Sequence, residues 1–145
     1  MILMILNERQ YNVTKRNIAK FNETLNILKK QPSPEDTNEQ LRRKYHIEAV
    51  EGQLETLNQE AKTYQQLKSG QTNVLVSSFE SLPENLIKAR IIRGWSQAQL
   101  AEKLNVRQQQ VQKDEANLYA NSSFVKLLRV KNALNLNITE EVTLQ

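Results

Sequence analysis

Ser96-Gln-Ala-Gln-Leu-Ala-Glu-Lys-Leu-Asn-Val-Arg-Gln-Gln-Gln-Val-Gln-Lys-Asp-Glu115 is the stretch that decides the architecture of this chain. Its first four residues form a capping box. The Ser96 hydroxyl can accept from the Gln99 amide, and the Gln99 side chain can reach back to Ser96. Leu100, Ala101 and Leu104 then give a short helix one apolar face. Asn105 follows where a tight turn needs a left-handed residue, a conformation Asn tolerates better than most. Val106 anchors the turn, and a further helix is expected over Arg107 to Glu115 with Val111 facing inward.

Two short helices joined by a turn of three or four residues, the second with an amide-rich outer face, describe a helix-turn-helix. Gln108, Gln109, Gln112 and Lys113 project hydrogen-bonding side chains of base-reading length from the second helix. Gln pairs bidentately with adenine and Lys with guanine, each good contact discriminating by roughly 1–3 kcal/mol. Phosphate contacts are expected from Gln97, through its amide and a backbone N–H, and from Arg107, Gln110 and Asn117. An amide-rich helix face alone is usually a solvated surface; the surrounding motif reverses that reading for Gln108, Gln109 and Lys113. Upstream, Pro83-Glu84-Asn85 opens a helix through Leu86 to Arg93, closed by Gly94. Downstream, a helix runs from Ser122 or Ser123 through Phe124, Leu127, Leu128 and Ala133 to Leu134. Trp95 is expected between the first two helices as core, and Lys126, Arg129 and Lys131 as solvated cations or DNA-backbone contacts.

Residues 82–136 resemble the Xre family, the phage repressor and Cro type of helix-turn-helix, with Gln97, Leu100-Ala101, Val106, Val111 and Glu115 at family spacing. The resemblance implies a lambda-repressor-like domain of four to five helices and a structural ion pair between Arg90 and Glu115. Three positions depart from the family pattern. Asn105 replaces the usual turn glycine, Arg107 the Ser or Thr cap, and Asp114 a large apolar residue. Asp114 therefore calls for a polar partner, expected from the N-terminal half, or loosens the end of its helix.

The N-terminal half is patterned differently. Leu6 to Val13 reads as extended, with Thr14 capping a helix that carries Ile18, Phe21, Leu25 and Leu28 and ends at Lys29-Lys30. After Gln31-Pro32-Ser33-Pro34, Ser33 is expected to cap a helix of about 35 residues ending at Ser69-Gly70. Along it, Ile47, Val50, Leu54, Leu57, Ala61 and Tyr64 alternate by three and four, a heptad seam. The short first helix cannot cover that seam alone. An antiparallel hairpin and a homodimeric coiled coil both answer the pattern; a membrane-surface helix does not, because the polar face lacks cationic dominance. Arg42-Arg43-Lys44 reads as a solvated face or a contact for phosphate or an acidic partner, and His46 has no assigned role. The expected class is all-α: a helical hairpin or coiled coil over 1–70, a linker or short strand over 71–81, and the helix-turn-helix domain over 82–145.

Composition narrows function by exclusion. The chain has 145 residues, 39% hydrophobic and 25% charged, enough to bury a core. Absence of cysteine removes disulfides, thiol nucleophiles and thiolate metal sites. One histidine and three glycines argue against a metal site, a catalytic triad and a phosphate-cradling loop. Neither an enzyme nor a cofactor is expected. No segment is apolar enough to span a membrane, and the opening Met1-Ile2-Leu3-Met4-Ile5-Leu6 lacks the basic leader of a signal peptide, so a cytoplasmic protein is expected. The net charge is +4, yet residues 84–135 hold 9 basic and 4 acidic side chains, or +5. The expectation is a DNA-binding transcriptional regulator that meets a double-stranded operator as a homodimer. Asn7-Glu-Arg-Gln-Tyr11 leading into the first helix also resembles the helical extension of Xre-type antitoxins, implying a protein toxin as partner. The rival is an interaction protein whose helix-turn-helix no longer binds DNA.

Overall fold

The computed structural model describes residues 3–145; Met1 and Ile2 of the opening apolar run lie outside the described residues. Within them the chain is all-helical, with six helices and no strand. It divides into two compact units, Met1–Tyr64 and Gln65–Gln145. No helix is long and apolar enough to cross a membrane.

The first unit is an antiparallel pair, α1 (Glu8–Lys30) and α2 (Thr37–Lys68), the last turn of α2 passing into the second unit. α1 begins earlier than its apolar spacing suggests. Asn7 is extended and its Oδ1 accepts from the Gln10 amide at 2.9 Å, while Gln10 Oε1 accepts from Leu6 N–H at 2.8 Å. That reciprocal cap fixes the helix start. Residues 3–6 precede the cap outside any helix, with Ile5 and Leu6 buried, and Thr14 is a buried residue inside the helix, not its cap.

The same shift changes the role of the heptad seam. With 23 residues α1 is about 34 Å long, whereas Ile47 to Tyr64 spans about 26 Å of α2, so α1 is long enough to cover it. Val50, Leu54, Leu57, Ala61 and Tyr64 are buried in the single chain, and Ile47 is half-buried. Tyr64 meets Tyr11 with ring centroids 5.1 Å apart, and Lys29 bonds Glu51 at 2.6 Å near the other end. The residues expected at a coiled-coil seam are thus already largely buried within the single chain.

The connection between the helices also differs from expectation. Pro32 and Pro34 favour extended backbone before them, and α2 starts only at Thr37. Asp36 Oδ2, rather than Ser33, accepts the Glu39 amide at 3.1 Å. Arg43 ties this turn down, donating to the carbonyls of Pro32 at 2.8 Å, Gln31 at 2.5 Å and Leu28. It is the one member of the basic triplet with a structural task there.

The second unit holds α3 (Leu82–Ile92), α4 (Gln97–Leu104), α5 (Gln108–Ala116) and α6 (Phe124–Ala133). Its core is Leu86, Ile87, Ile91, Leu100, Val111, Val130 and Leu134, all nearly inaccessible. Residues 71–78 leading into it form no strand. Past its Arg93 cap, α3 is closed by Gly94, whose φ of +72° is the left-handed conformation that closes a helix without a Cβ penalty.

Candidate nucleic-acid interface

α4 begins with the capping box: Ser96 Oγ accepts from Gln99 N–H at 3.1 Å and Gln99 Oε1 accepts from Ser96 N–H at 2.7 Å. It ends at Asn105, held at φ +54° and ψ +46°. The Asn105 amide then bonds the Glu102 carbonyl and the Val106 amide the Ala101 carbonyl, satisfying carbonyls a helix end leaves open. Asn105, Val106 and Arg107 form the whole turn before α5. Arg107 sits extended at the N-cap without a side-chain capping bond, leaving its guanidinium exposed.

α5 has little apolar surface of its own. Of its nine residues only Val111, Asp114 and Glu115 are buried. A polar cluster compensates. Arg90 Nε donates to Glu115 Oε1 at 2.6 Å and Nη2 to Oε2 at 2.8 Å, a bidentate pair with both side chains almost wholly inaccessible. Arg90 Nη1 also donates to the Trp95 carbonyl at 2.7 Å, and Gln97 Nε2 donates to Glu115 Oε2 at 2.8 Å. One carboxylate thereby joins α3, α4 and α5. Trp95 itself is only half-buried, with Lys103 Nζ 5.7 Å from its ring centroid.

This geometry corrects the role read for Gln97. Its side chain is 4% exposed and donates to Glu115, whereas the expected phosphate contact would have turned that amide outward. Gln110 is similarly engaged, its Nε2 donating to Asp114 Oδ1 at 2.9 Å. Asp114 does have a polar partner, but it comes from α6 and not from the N-terminal half: Lys126 Nζ lies 2.5 Å from Oδ2. Lys126 is therefore not a free cation. Arg129, which donates to the Leu104 carbonyl at 3.2 Å, is likewise engaged with the end of α4.

Two further features had no sequence signal. Leu118 and Tyr119 follow α5 with φ of +54° and +56°, both non-glycine residues in the left-handed region. The Tyr119 amide bonds the Asp114 carbonyl at 2.7 Å, and its ring is 3% exposed, which holds it there. Burial, then the carboxylates of Glu115 and Asp114, push the phenol well above its ordinary range, so it stays protonated.

On the outer side of α5, helical periodicity sets Gln109, Gln112, Lys113 and Ala116 opposite Val111, Asp114 and Glu115. Gln108 lies at the side of this face in the first turn. Gln108, Gln109, Gln112 and Lys113 are exposed, and their side chains make no hydrogen bond or ion pair among the described residues. Arg107 at one end of α5 and Asn117 at the other are exposed as well. The arrangement offers donors and acceptors on a helix whose opposite side is fixed by a buried bidentate pair. No group of acidic or histidine side chains that could hold a metal occurs among the described residues. No curated protein and no solved structure matches the chain. Residues 86–140, from within α3 to beyond α6, match the family model for the helix-turn-helix.

Proposed function

We propose that this chain is a sequence-specific DNA-binding transcriptional regulator of bacterial or phage type, acting in the cytoplasm as a dimer and as a binding protein rather than an enzyme. The exposed, internally unpartnered face of α5 carries the proposal. Gln108, Gln109, Gln112 and Lys113 read base edges in the major groove. Arg107, Asn117 and the backbone N–H of Gln97 hold phosphates, with Gln110 free to join only by releasing Asp114. Selection from a random duplex pool tests it. The parent chain should enrich one sequence, and Gln109→Ala with Lys113→Ala should weaken binding to it by about tenfold or more per lost contact. Failure of the parent to enrich any sequence favours the rival, a protein-interaction module.

Dimerisation follows from the reach of one helix-turn-helix, since two copies read half-sites about 34 Å apart. With the α2 seam largely buried within the single chain, Phe124, Val125 and Leu128 on α6, exposed by 60%, 66% and 42%, are the apolar surface that favours a second copy. Sedimentation as a monomer at micromolar concentration overturns this part. The hairpin also carries exposed Leu41 and Tyr45 one turn apart on α2, which supports its use against a protein partner such as a toxin. Co-purification with the product of an adjacent small toxin-like gene tests that use.

A further inference from the structure

The first unit is nearly neutral, but its charges are segregated. Between positions 9 and 22 the chain carries Arg9, Lys15, Arg16 and Lys20 and no acidic residue. All four are exposed, and none forms a salt bridge among the described residues. Lys15 leans over the Tyr11 ring at 4.6 Å. Arg9, Arg16 and Lys20 fall at spacings of seven and four, on one stripe of α1. Arg9, Asn12, Lys15, Arg16 and Ala19 together line a shallow depression.

We infer that this stripe of α1 is a second nucleic-acid contact, one that grips the phosphodiester backbone of duplex DNA without reading sequence. Along the helix axis Arg9 and Arg16 are about 10 Å apart and Arg16 and Lys20 about 6 Å. Long side chains at those intervals can each reach a separate phosphate of the duplex. An acidic protein would also be attracted. Protein interfaces, however, are anchored by a desolvated cluster of apolar or aromatic side chains, and here the depression offers only cations, an amide and an alanine, with a lone Val13, 40% exposed, between Arg9 and Arg16 on the stripe. A polar, basic and wet surface is what phosphate contacts use. Two arginines add guanidinium forks suited to phosphate oxygens.

The inference does not require the reading assigned to α5, and its test keeps the two apart. The probe is a random-sequence duplex of about 30 base pairs titrated with the full chain across a salt series, sized to about three helical turns. R9Q/R16Q/K20Q is expected to bind roughly tenfold more weakly at low salt and to lower the slope of log K against log salt by about two to three. R9K/R16K keeps the charge and should keep the slope. Q109A/Q112A should alter sequence preference and leave that slope as it was. An unchanged slope in R9Q/R16Q/K20Q overturns the inference, including the case where that variant instead loses retention on immobilised polyglutamate. An equal fall in R9K/R16K also overturns it, because the loss would then follow side-chain shape and not charge.

Discussion

The hairpin and the four-helix unit hold their helices together by different means. In the hairpin, α1 and α2 close over a continuous apolar seam, Val50, Leu54, Leu57, Ala61 and Tyr64, with polar bonds confined to the ends. In the four-helix unit, α5 brings only Val111 as an apolar anchor and is held by Glu115 bonding Arg90 and Gln97. An apolar seam tolerates sliding and repacking. A bidentate guanidinium–carboxylate pair fixes distance and direction together. The helix proposed to present its outer face to DNA is thus the one held by directional bonds.

Breaking the pair should have the largest effect. Glu115→Ala leaves the Arg90 charge buried without its partner and should cost about 3–5 kcal/mol, measured as a lower denaturant midpoint. Truncating the seam comes next. Leu54→Ala should cost about 2–4 kcal/mol in the same measurement, with DNA affinity per folded molecule kept. A cost at Glu115 no greater than at Leu54 would undo the contrast between the regions.

A milder change sharpens it. Replacing Asp114 with Leu and Lys126 with Met removes a mostly buried ion pair in favour of apolar packing, and should shift stability by less than about 1.5 kcal/mol in either direction. A large loss by calorimetry would mean that Asp114 is as structural as Glu115. The smallest effect belongs to the turn. Asn105→Gly relieves a left-handed non-glycine residue and should raise stability by about 0.5–1 kcal/mol, a rise of a few degrees in Tm.

Tyr119 adds a pH dependence to the four-helix unit. Its phenol titrates higher folded than unfolded, so the associated stability is fully present below pH about 10 and is lost as pH rises beyond that. Tyr119→Phe should flatten that alkaline loss in a pH series of melts.

By itself the sequence determined what neighbours in the chain can decide. The Ser96–Gln99 capping box, the left-handed Asn105, the closing Gly94 and the three-residue turn are local, and each lies where its residue types place it. The Asn7–Gln10 cap was equally local; an apolar spacing starting at Ile18 obscured it. The exposed face of α5 was legible too, because helical period alone separates it from Val111 and Glu115. Tertiary structure decided which partner each buried polar group would take and which surface each apolar stripe would meet. Gln97 turned inward because Glu115 had an open lone pair beside it, Asp114 found Lys126 from α6, and Arg43 found three carbonyls at the hairpin turn. The α2 seam closed on α1 because a start at Glu8 made that helix long enough to cover it. Such choices join residues far apart in the chain, and no local spacing encodes them.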